Sequence, residues 1–464
     1  MFKTLPFLCL AILSSALSAN EKRLPDILVY LADDLSARDL ELYGGTDIKT
    51  PAIDALARDG MTFERAFVAS PACAPSRAAL LTGLMPARNG AEENHTFPRQ
   101  GTIRLPAILN QLGYQTVAFG KVAHSKSAPD YAFEVHSGEK DITELRPVVK
   151  KFLENRTDPR PLALFVGVSN PHVPWPSNST VDPRALTIPA KLLDTPQTRV
   201  QRSRYLQEVK DLDAYLGELR TLATKHMADD TIFVFSSDHG AQFPFGKWTL
   251  YDEGIRVPLI VARKGKIQRQ SRTTAMVSWI DILPTLIDVA GGDVPAEIDG
   301  RPFSSILEGK STTHRERIFT THSGDRLMNV YLSRSVRSDN YKLIWNVHPE
   351  FAFTTHIDLL LRETSGDYFK QWTELAKTDK RAAEVVARHH GRPRYELYDL
   401  RTDPLEQNNL TGSEGLAETE AKLLSELQTW IKSQGDELTV FHHPLMLDEP
   451  ETWVPRALPR KKKR

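Results

Sequence analysis

A chain of 464 residues is longer than one hydrophobic core usually serves, so a large domain with a smaller appended one is expected. Apolar residues make up 41% and charged residues 25% of the sequence, which excludes a disordered or collagen-like protein. Lys and Arg together number 59, as do Asp and Glu, so no global field draws the protein to nucleic acid or to an anionic membrane, and a polyanionic partner must be met by a local basic pocket.

The first 18 residues have the pattern of a secretion signal peptide. Lys3 supplies the positive charge, residues 5–13 form a short apolar run, and residues 16–18 resemble a cleavage site. The apolar run is too short for a membrane span. We therefore predict a secreted or periplasmic protein, or a lysosomal one if the source is an animal. Removal of the signal removes Cys9 and leaves Cys73 as the only thiol, which is either an incidental apolar residue or a reactive group.

Four short apolar runs in the first half of the chain are predicted to be buried strands of an α/β sheet. They cover residues 26–31, 116–119, 162–166 and 231–235. A polar cluster follows each run, and these clusters contain Asp33 and Asp34, Lys121 and His124, His172, and Asp238 and His239. Because ligands of open α/β sheets bind beyond the carboxyl ends of the strands, we expect the four clusters to converge on one site. Taken singly, such residues are more often helix caps or turns.

Helices are predicted between these strands, and the pattern changes near residue 315. Residues 50–59 form one helix, with Thr50 as its N-cap, and residues 204–225 form another with apolar residues at helical spacing. After residue 315 come turn-rich segments and shorter strands. We predict a signal peptide at 1–18, a catalytic α/β domain at 19–315, a smaller α+β domain at 316–445 with a strand at 341–345 and a helix at 416–432, and a basic tail at 446–464.

Cys73 opens the segment Cys73-Ala-Pro-Ser-Arg77, which is followed by Leu81-Thr-Gly83. The residues from Ser76 onward have the pattern of a helix start. A nucleophile at a helix N-terminus is stabilised as an anion by free backbone N–H groups and the helix dipole. The alternative is a capped helix preceded by an apolar cysteine.

This segment resembles the maturation signature of the type I sulfatases, whose cysteine is oxidised to Cα-formylglycine (3-oxoalanine) by a separate formylglycine-generating enzyme. The resemblance covers nearly the whole mature chain, from Asp33-Asp34 to residues 395–404. The chain is most similar to the heparan N-sulfatase (sulfamidase) branch, but Asp238-His239 resembles the iduronate-2-sulfatase branch, because sulfamidases carry Asn in place of His239. The resemblance implies an alkaline phosphatase-like α/β fold with a large mixed sheet between helices.

The resemblance also implies roles for the clustered residues. Calcium, or magnesium, would be bound by Asp33, Asp34, Asp238 and the modified Cys73, with His239 completing the shell, since hard carboxylate oxygens favour these cations. The hydrated formylglycine would attack sulfur and hold the sulfate as a covalent ester. The groups acting with it would be Arg77 and Lys121 on the formylglycine and sulfate charge, His124 as the base that expels sulfate, and Lys247 and His172 at the leaving oxygen or nitrogen.

Two further histidines, His95 and His322, are predicted either to line the sugar subsite or to lie on the surface. The predicted substrate is a sulfated oligo- or polysaccharide, with the choice between O-sulfate and N-sulfate open. Two other functions remain as alternatives. One is a phosphate or phosphonate ester hydrolase of the same superfamily, and the other is a non-catalytic module that binds sulfated glycans.

Overall fold

The computed structural model describes residues 23–124, 127–139 and 141–454, so the predicted signal peptide and the end of the basic tail lie outside the described residues. The strands of a large sheet are β1 (Ile27–Ala32), β2 (Met61–Phe67), β3 (Gln115–Gly120), β4 (Val135–Ser137), β5 (Leu162–Gly167), β6 (Ile232–Ser237), β7 (Arg256–Ala262) and β8 (Ser271–Ser278). Those of a smaller sheet are β9 (Ile318–His322), β10 (Ser333–Arg337), β11 (Tyr341–Asn346) and β12 (Tyr395–Asp399).

Helices of the described residues lie between and after these strands. They are α1 (Pro51–Asp59), α2 (Cys73–Thr82), α3 (Pro86–Asn89), α4 (Leu105–Gln111), α5 (Ile142–Asn155), α6 (Pro196–His226), α7 (Asp252–Ile255), α8 (Ile282–Val289), α9 (Ser304–Leu307), α10 (His356–Leu360), α11 (Asp367–Leu375), α12 (Lys380–His390) and α13 (Ala417–Gln434). None of the described helices is long and apolar enough to cross a membrane.

The large sheet is mixed, in the order β4-β3-β5-β1-β6-β7-β2-β8. Strands β4, β3, β5, β1 and β6 are parallel to one another, whereas β7 is antiparallel to both of its neighbours. The runs predicted as strands from the sequence are β1, β3, β5 and β6, and they are four consecutive neighbours. Their carboxyl ends therefore meet at one edge of the sheet, as expected.

Both faces of this sheet are covered by helices, which gives two hydrophobic cores. Alternate residues of β1 point to opposite faces, with Val29 in one core and Tyr30 in the other. Helices α2, α4 and α8 pack on the Val29 face. Helices α1, α5 and α6 pack on the Tyr30 face, together with α10, α11 and α12. This layered arrangement confirms the predicted alkaline phosphatase-like fold.

The smaller sheet is antiparallel, in the order β12-β11-β10-β9, and α13 packs on it through Leu423 and Leu427. The predicted division at residue 315 separates the two sheets. Helices α10 to α12, however, belong by sequence to the second segment and pack on the first sheet's core. The division into domains remains a prediction.

The predicted helices form with small differences at their starts. Helix α6 begins at Pro196, eight residues before the prediction, and Thr195 caps it by accepting from the Thr198 N–H. Helix α1 begins at Pro51 as predicted, but Thr50 makes no side-chain cap bond. The carboxylate of Asp213 on α6 accepts from the first free N–H groups of α1 instead, which fixes the two helices against each other.

Candidate active site

The paired aspartates lie at the carboxyl end of β1, beneath the surface. Asp33 and Asp34 are both fully buried, and Asp34 has a φ of 68°. The Asp33 N–H donates to the Asn170 carbonyl at 3.1 Å, and the Asp34 N–H donates to an oxygen of Asp238 at 3.1 Å. These bonds join the end of β1 to the ends of β5 and β6. Hydrogen bonds from the backbone at the end of β1 therefore bring the predicted polar clusters together.

Cys73 is the first residue of α2, and its side chain points into this cluster. Its sulfur lies 3.3 Å from Nε2 of His239, 3.5 Å from Nζ of Lys121 and 3.6 Å from Oδ1 of Asp33. The residue is only 2% exposed. Burial raises the pKa of the Cys73 thiol, and the nearby Lys121 ammonium does not reverse this. The unmodified thiol is consequently protonated and a weak nucleophile at neutral pH.

One donor atom from each of Asp33, Asp34, Cys73 and His239 lies within 4.8 Å of the others. Nδ1 of His239 donates to the Gly240 carbonyl at 3.0 Å, because a carbonyl only accepts, and the lone pair of Nε2 is left facing the sulfur. Two carboxylates, an imidazole nitrogen and an oxygen formed from Cys73 are a donor set that fits a hard divalent cation. These side chains could hold calcium or magnesium without rebuilding the site.

Asp238 lies beside this set rather than within it. Its Oδ2 accepts from Nε of Arg77 at 2.8 Å and lies 3.7 Å from Nε2 of His239. Arg77 is fully buried and also donates to the carbonyls of Ala32 and Lys121. The guanidinium thus joins the ends of β6, β1 and β3. We call these strand ends, with the charged side chains that follow them, the floor of the site.

Two lysines complete the charge of the floor. The Lys121 ammonium pairs with Asp33, and the Lys247 ammonium lies 2.9 Å from both oxygens of Asp34. Burial raises the pKa of Asp33, but the charges of Lys121 and the other nearby cations together outweigh it and hold the pKa of Asp33 well below its usual range. The pKa of Asp34 is likewise lowered, because Lys247 and the neighbouring histidines together outweigh burial. Three cations balance three carboxylates here, namely Arg77, Lys121 and Lys247 against Asp33, Asp34 and Asp238.

The two predicted catalytic histidines flank the floor. Nε2 of His172 lies 3.9 Å from Oδ2 of Asp34, and its Nδ1 donates to the Val173 carbonyl at 2.5 Å. Burial lowers the pKa of His172 to about 4. Nε2 of His124 lies 2.8 Å from Nδ1 of His95, and burial together with the Lys121 charge lowers the pKa of His124 to about 2. Both imidazoles are neutral at pH 7.

A cleft of about 300 Å³ opens above these groups. Six of the predicted site residues line the cleft, namely Cys73, His95, Lys121, His124, His172 and Lys247. His322 does not line the cleft. It ends β9, is 1% exposed, and its Nε2 bonds to Oδ1 of Asn329 at 2.7 Å. The structure therefore places His322 in the protein interior, away from a sugar.

The cleft also contains residues that the sequence did not single out. Asp325, in the turn after β9, accepts from the indole N–H of Trp248 at 3.0 Å and from Asn94 at 3.0 Å. His356, at the start of α10, stacks on Trp248 with ring centroids 5.6 Å apart. Arg362 lies at the rim. Single polar residues in loops form no recognisable sequence pattern. Asp325, His356 and Arg362 could therefore be assigned to the cleft only from the fold.

Comparison with known proteins agrees with this fold. The family model described as Sulfatase matches residues 25–292, more than half of the chain. The model for the C-terminal region of N-sulphoglucosamine sulphohydrolase matches residues 239–358. The chain therefore belongs to the sulfatase family, and it is an enzyme that hydrolyses sulfate esters.

Individual relatives are similar over most of their length. An ulvan-active sulfatase of Formosa agariphila is 30% identical over 452 residues, covering 92% of this chain and 83% of the relative. Human N-sulphoglucosamine sulphohydrolase is 28% identical over 452 residues, covering 87% and 89%. A protein solved in complex with its substrate D-glucosamine-2-N,6-O-disulfate superposes with a TM-score of 0.69 at 20% identity, covering 89% of this chain and 99% of that one. A phosphonate monoester hydrolase of Silicibacter pomeroyi shares the fold, with a TM-score of 0.67 at 17% identity and coverage of 89% and 96%.

Proposed function

We propose that this enzyme is an exported, formylglycine-dependent and calcium-dependent sulfatase that removes sulfate from a sulfated oligo- or polysaccharide. The observation that carries the proposal is the position of Cys73 at the start of α2, within 3.6 Å of a histidine, a lysine and a carboxylate that fit its predicted roles. The named relatives act on ulvan or on N-sulphoglucosamine, which supports a sulfated saccharide as the substrate.

The side chains proposed to hold calcium are Asp33, Asp34, His239 through Nε2 and the residue formed from Cys73, with Asp238 at the edge of the set. When present, the cation and the formylglycine together supply a polarised hydroxyl nucleophile and neutralise charge that develops on sulfate oxygen. The floor of the site is neutral without ligands, because its three cations balance its three carboxylates. A divalent cation therefore brings positive charge that an anionic sulfate and an anionic nucleophile can match.

Lys121 holds the reacting end of the substrate, and Arg77 orients the groups around it. Lys121 is 5% exposed, and its ammonium lies against the Cys73 sulfur. Bulk water therefore does not surround this charge where it would contact a bound sulfate group. In such a low-dielectric position a fixed cation stabilises developing negative charge more strongly than in water. Arg77 reaches no part of the cleft lining, and its five donors orient the aspartates and the helix end instead.

The remaining residues move protons. His124 is neutral and its Nδ1 has no partner among the described residues, so this is the nitrogen that we propose accepts a proton. Lys247 and His172 lie across the cleft floor at Asp34 and face the leaving group, where Lys247 donates a hydrogen bond to the bridging atom. An anionic substrate beside His172 raises its proton affinity, and this enables it to protonate a poorly acidic sugar hydroxyl or amine.

Desulfation of a panel of defined sulfated saccharides tests the proposal. The protein is produced with a formylglycine-generating enzyme, loaded with calcium, and checked by mass spectrometry of the Cys73 peptide. Release of sulfate from one saccharide class, lost in Cys73→Ala and on chelation, supports the proposal. Matched aryl sulfate and aryl phosphate esters distinguish a sulfatase from a phosphoryl hydrolase. If the aldehyde is present and no sulfate ester is cleaved, the proposal is wrong.

A further inference from the structure

A carboxylate and two imidazoles form a connected row along one wall of the cleft. Oδ1 of Asp325 lies 3.4 Å from Nε2 of His95, and Nδ1 of His95 lies 2.8 Å from Nε2 of His124. The two rings meet edge to face, with centroids 4.7 Å apart and an interplanar angle of 68°. The row links a loop of the smaller sheet to the residue proposed to act as the base.

Asp325 at the far end of the row is a fixed anion. It is 2% exposed, and its Oδ2 accepts from both Trp248 and Asn94 at 3.0 Å. Burial raises the pKa of Asp325, but His95, His356 and Asn94 together outweigh burial and hold this pKa well below its usual range. The other oxygen, Oδ1, is therefore an ionised acceptor that faces His95.

The positions of the protons follow from this acceptor. A carboxylate accepts only, so His95 carries its proton on Nε2 and presents a lone pair on Nδ1. That lone pair in turn requires the proton of His124 to be on Nε2. The lone pair of His124 is then on Nδ1, which is buried and has no partner among the described residues. The row thus leaves one nitrogen of His124 free to take a proton.

We propose that Asp325 is a positioning residue that acts through His95 to hold His124 in the tautomer with a basic Nδ1. The inference rests on the proposed function, in which His124 is the proton acceptor. No proton travels along the row. When Nδ1 of His124 takes a proton, His95 keeps its Nε2 proton and Asp325 stays ionised, so the row contributes orientation and a compensating charge near the new imidazolium. His95 then serves the chemistry as well as lining the cleft.

Asp325→Asn tests the row with almost no change of shape. Its amide oxygen replaces Oδ2, where two donors point, which puts the amide N–H against His95. A donor there reverses both tautomers and moves the proton of His124 to Nδ1. Nitrogen-15 spectra of the histidine rings, with His124 identified by its loss in His124→Gln, read this directly in the protein with unmodified Cys73. We expect the Nε2–H tautomer in the parent and the Nδ1–H tautomer in the variant. An unchanged His124 tautomer overturns the proposal.

Kinetics of the matured enzyme on an aryl sulfate give a second readout. Asp325→Asn should lower kcat about 10²-fold, in the range of general-base effects, with KM nearly unchanged. His95 has a side chain 35% exposed to the cleft, so added imidazole should restore activity to His95→Ala. His442→Ala is the control, since His442 pairs with Glu93 outside the cleft lining and imidazole should not affect it.

The two failures are distinguishable. A parent enzyme that releases no sulfate contradicts the proposed function. The nitrogen-15 spectra still show whether Asp325 sets the tautomer of His124. An active parent with unchanged kcat in Asp325→Asn, or without imidazole rescue of His95→Ala, contradicts the row and leaves the sulfatase intact.

Discussion

The ammonium of Lys247 lies 2.9 Å from each carboxylate oxygen of Asp34, so one fully buried side chain neutralises another that is proposed to bind the metal. The same cation faces the cleft, where the leaving group of the substrate would lie. Asp34 therefore pairs with Lys247 and is also proposed to bind calcium. Their contributions can be separated by stability measurements.

Replacing Lys247 with Met should destabilise the metal-free protein by about 3 to 5 kcal/mol, because Asp34 is left as an uncompensated buried charge. Calcium should remove much of this deficit by supplying the missing positive charge. The measurement is urea unfolding of both proteins in chelator and in calcium. Lys191→Met is a matched control, since Lys191 is a buried lysine near Glu406, outside the cleft lining, and its deficit should not depend on calcium. Equal calcium responses in the two variants would contradict the assignment of Asp34 as a ligand.

Arg77→Lys should be strongly destabilising although it conserves the charge. The guanidinium donates to two carboxylates and to backbone carbonyls, and these acceptors together lie at the ends of three strands, so a single ammonium cannot reach all of them. The expected loss is about 3 kcal/mol or more of unfolding free energy, measured by urea unfolding in calcium. Arg184→Lys, at an exposed pair with Asp182, should change almost nothing. A loss below about 1 kcal/mol for Arg77→Lys would mean that the site floor tolerates a simpler cation.

Stability should fall as the pH rises from 4.5 to about 7 because of Glu208 on α6. Burial and then the nearby Asp211 raise the pKa of Glu208 from 4.5 to about 7 in the folded protein. Between pH 4.5 and about pH 7, the folded state therefore binds a proton at Glu208 that the unfolded state has already lost. The stabilisation from this proton is complete below pH 4.5 and is lost by about pH 7. Glu208→Gln should gain stability relative to the parent over this interval.

Urea unfolding of the parent and Glu208→Gln at several pH values between 4 and 8 measures this difference. Glu218→Gln on the same helix is the control, because the Glu218 side chain is 52% exposed and water screens its charge. Parallel stability curves for the parent and Glu208→Gln would show that folding does not raise the pKa of Glu208.

Arg362 at the rim of the cleft should recognise a second acidic group on the substrate. No carboxylate in the described part of the chain forms an ion pair with its guanidinium, and this cation lines the same cleft as Cys73. Arg362→Gln should raise KM about 10-fold for saccharides that carry a uronate or a second sulfate, equivalent to about 1.4 kcal/mol. For a neutral monosulfated sugar KM should not change. Arg204→Gln, on α6 outside the cleft lining, is the control. Equal effects on both substrate classes would contradict charge recognition.

The placement of the floor of the candidate site could be predicted from the sequence because it follows from local rules. Apolar runs predict β1, β3, β5 and β6, and the polar residues after parallel strands collect at one sheet edge. The Cys73 segment adds a motif whose position at a helix start is also visible in the sequence. These features depend on a few residues each, so one sequence is enough to reveal them.

The rest depends on contacts between distant parts of the chain. Asp325 reaches His95 across 230 positions of sequence, and no periodicity marks either residue as a partner. His322 illustrates the converse, since it lies at the end of a strand, as the residues of the candidate site do, but belongs to the second sheet and bonds to Asn329 in the interior. The packing of α10 to α12 on the first core is likewise set by shape complementarity that a hydrophobic pattern does not encode.

The burial of Cys73 also fixes an order of events in biosynthesis. At 2% exposure, with its backbone already wound into α2, the side chain offers no extended segment for another protein to bind. Under the proposed function, the enzyme that converts Cys73 to formylglycine must therefore reach it before the chain folds. The fraction of active enzyme would then depend on the rate of modification relative to the rate of folding.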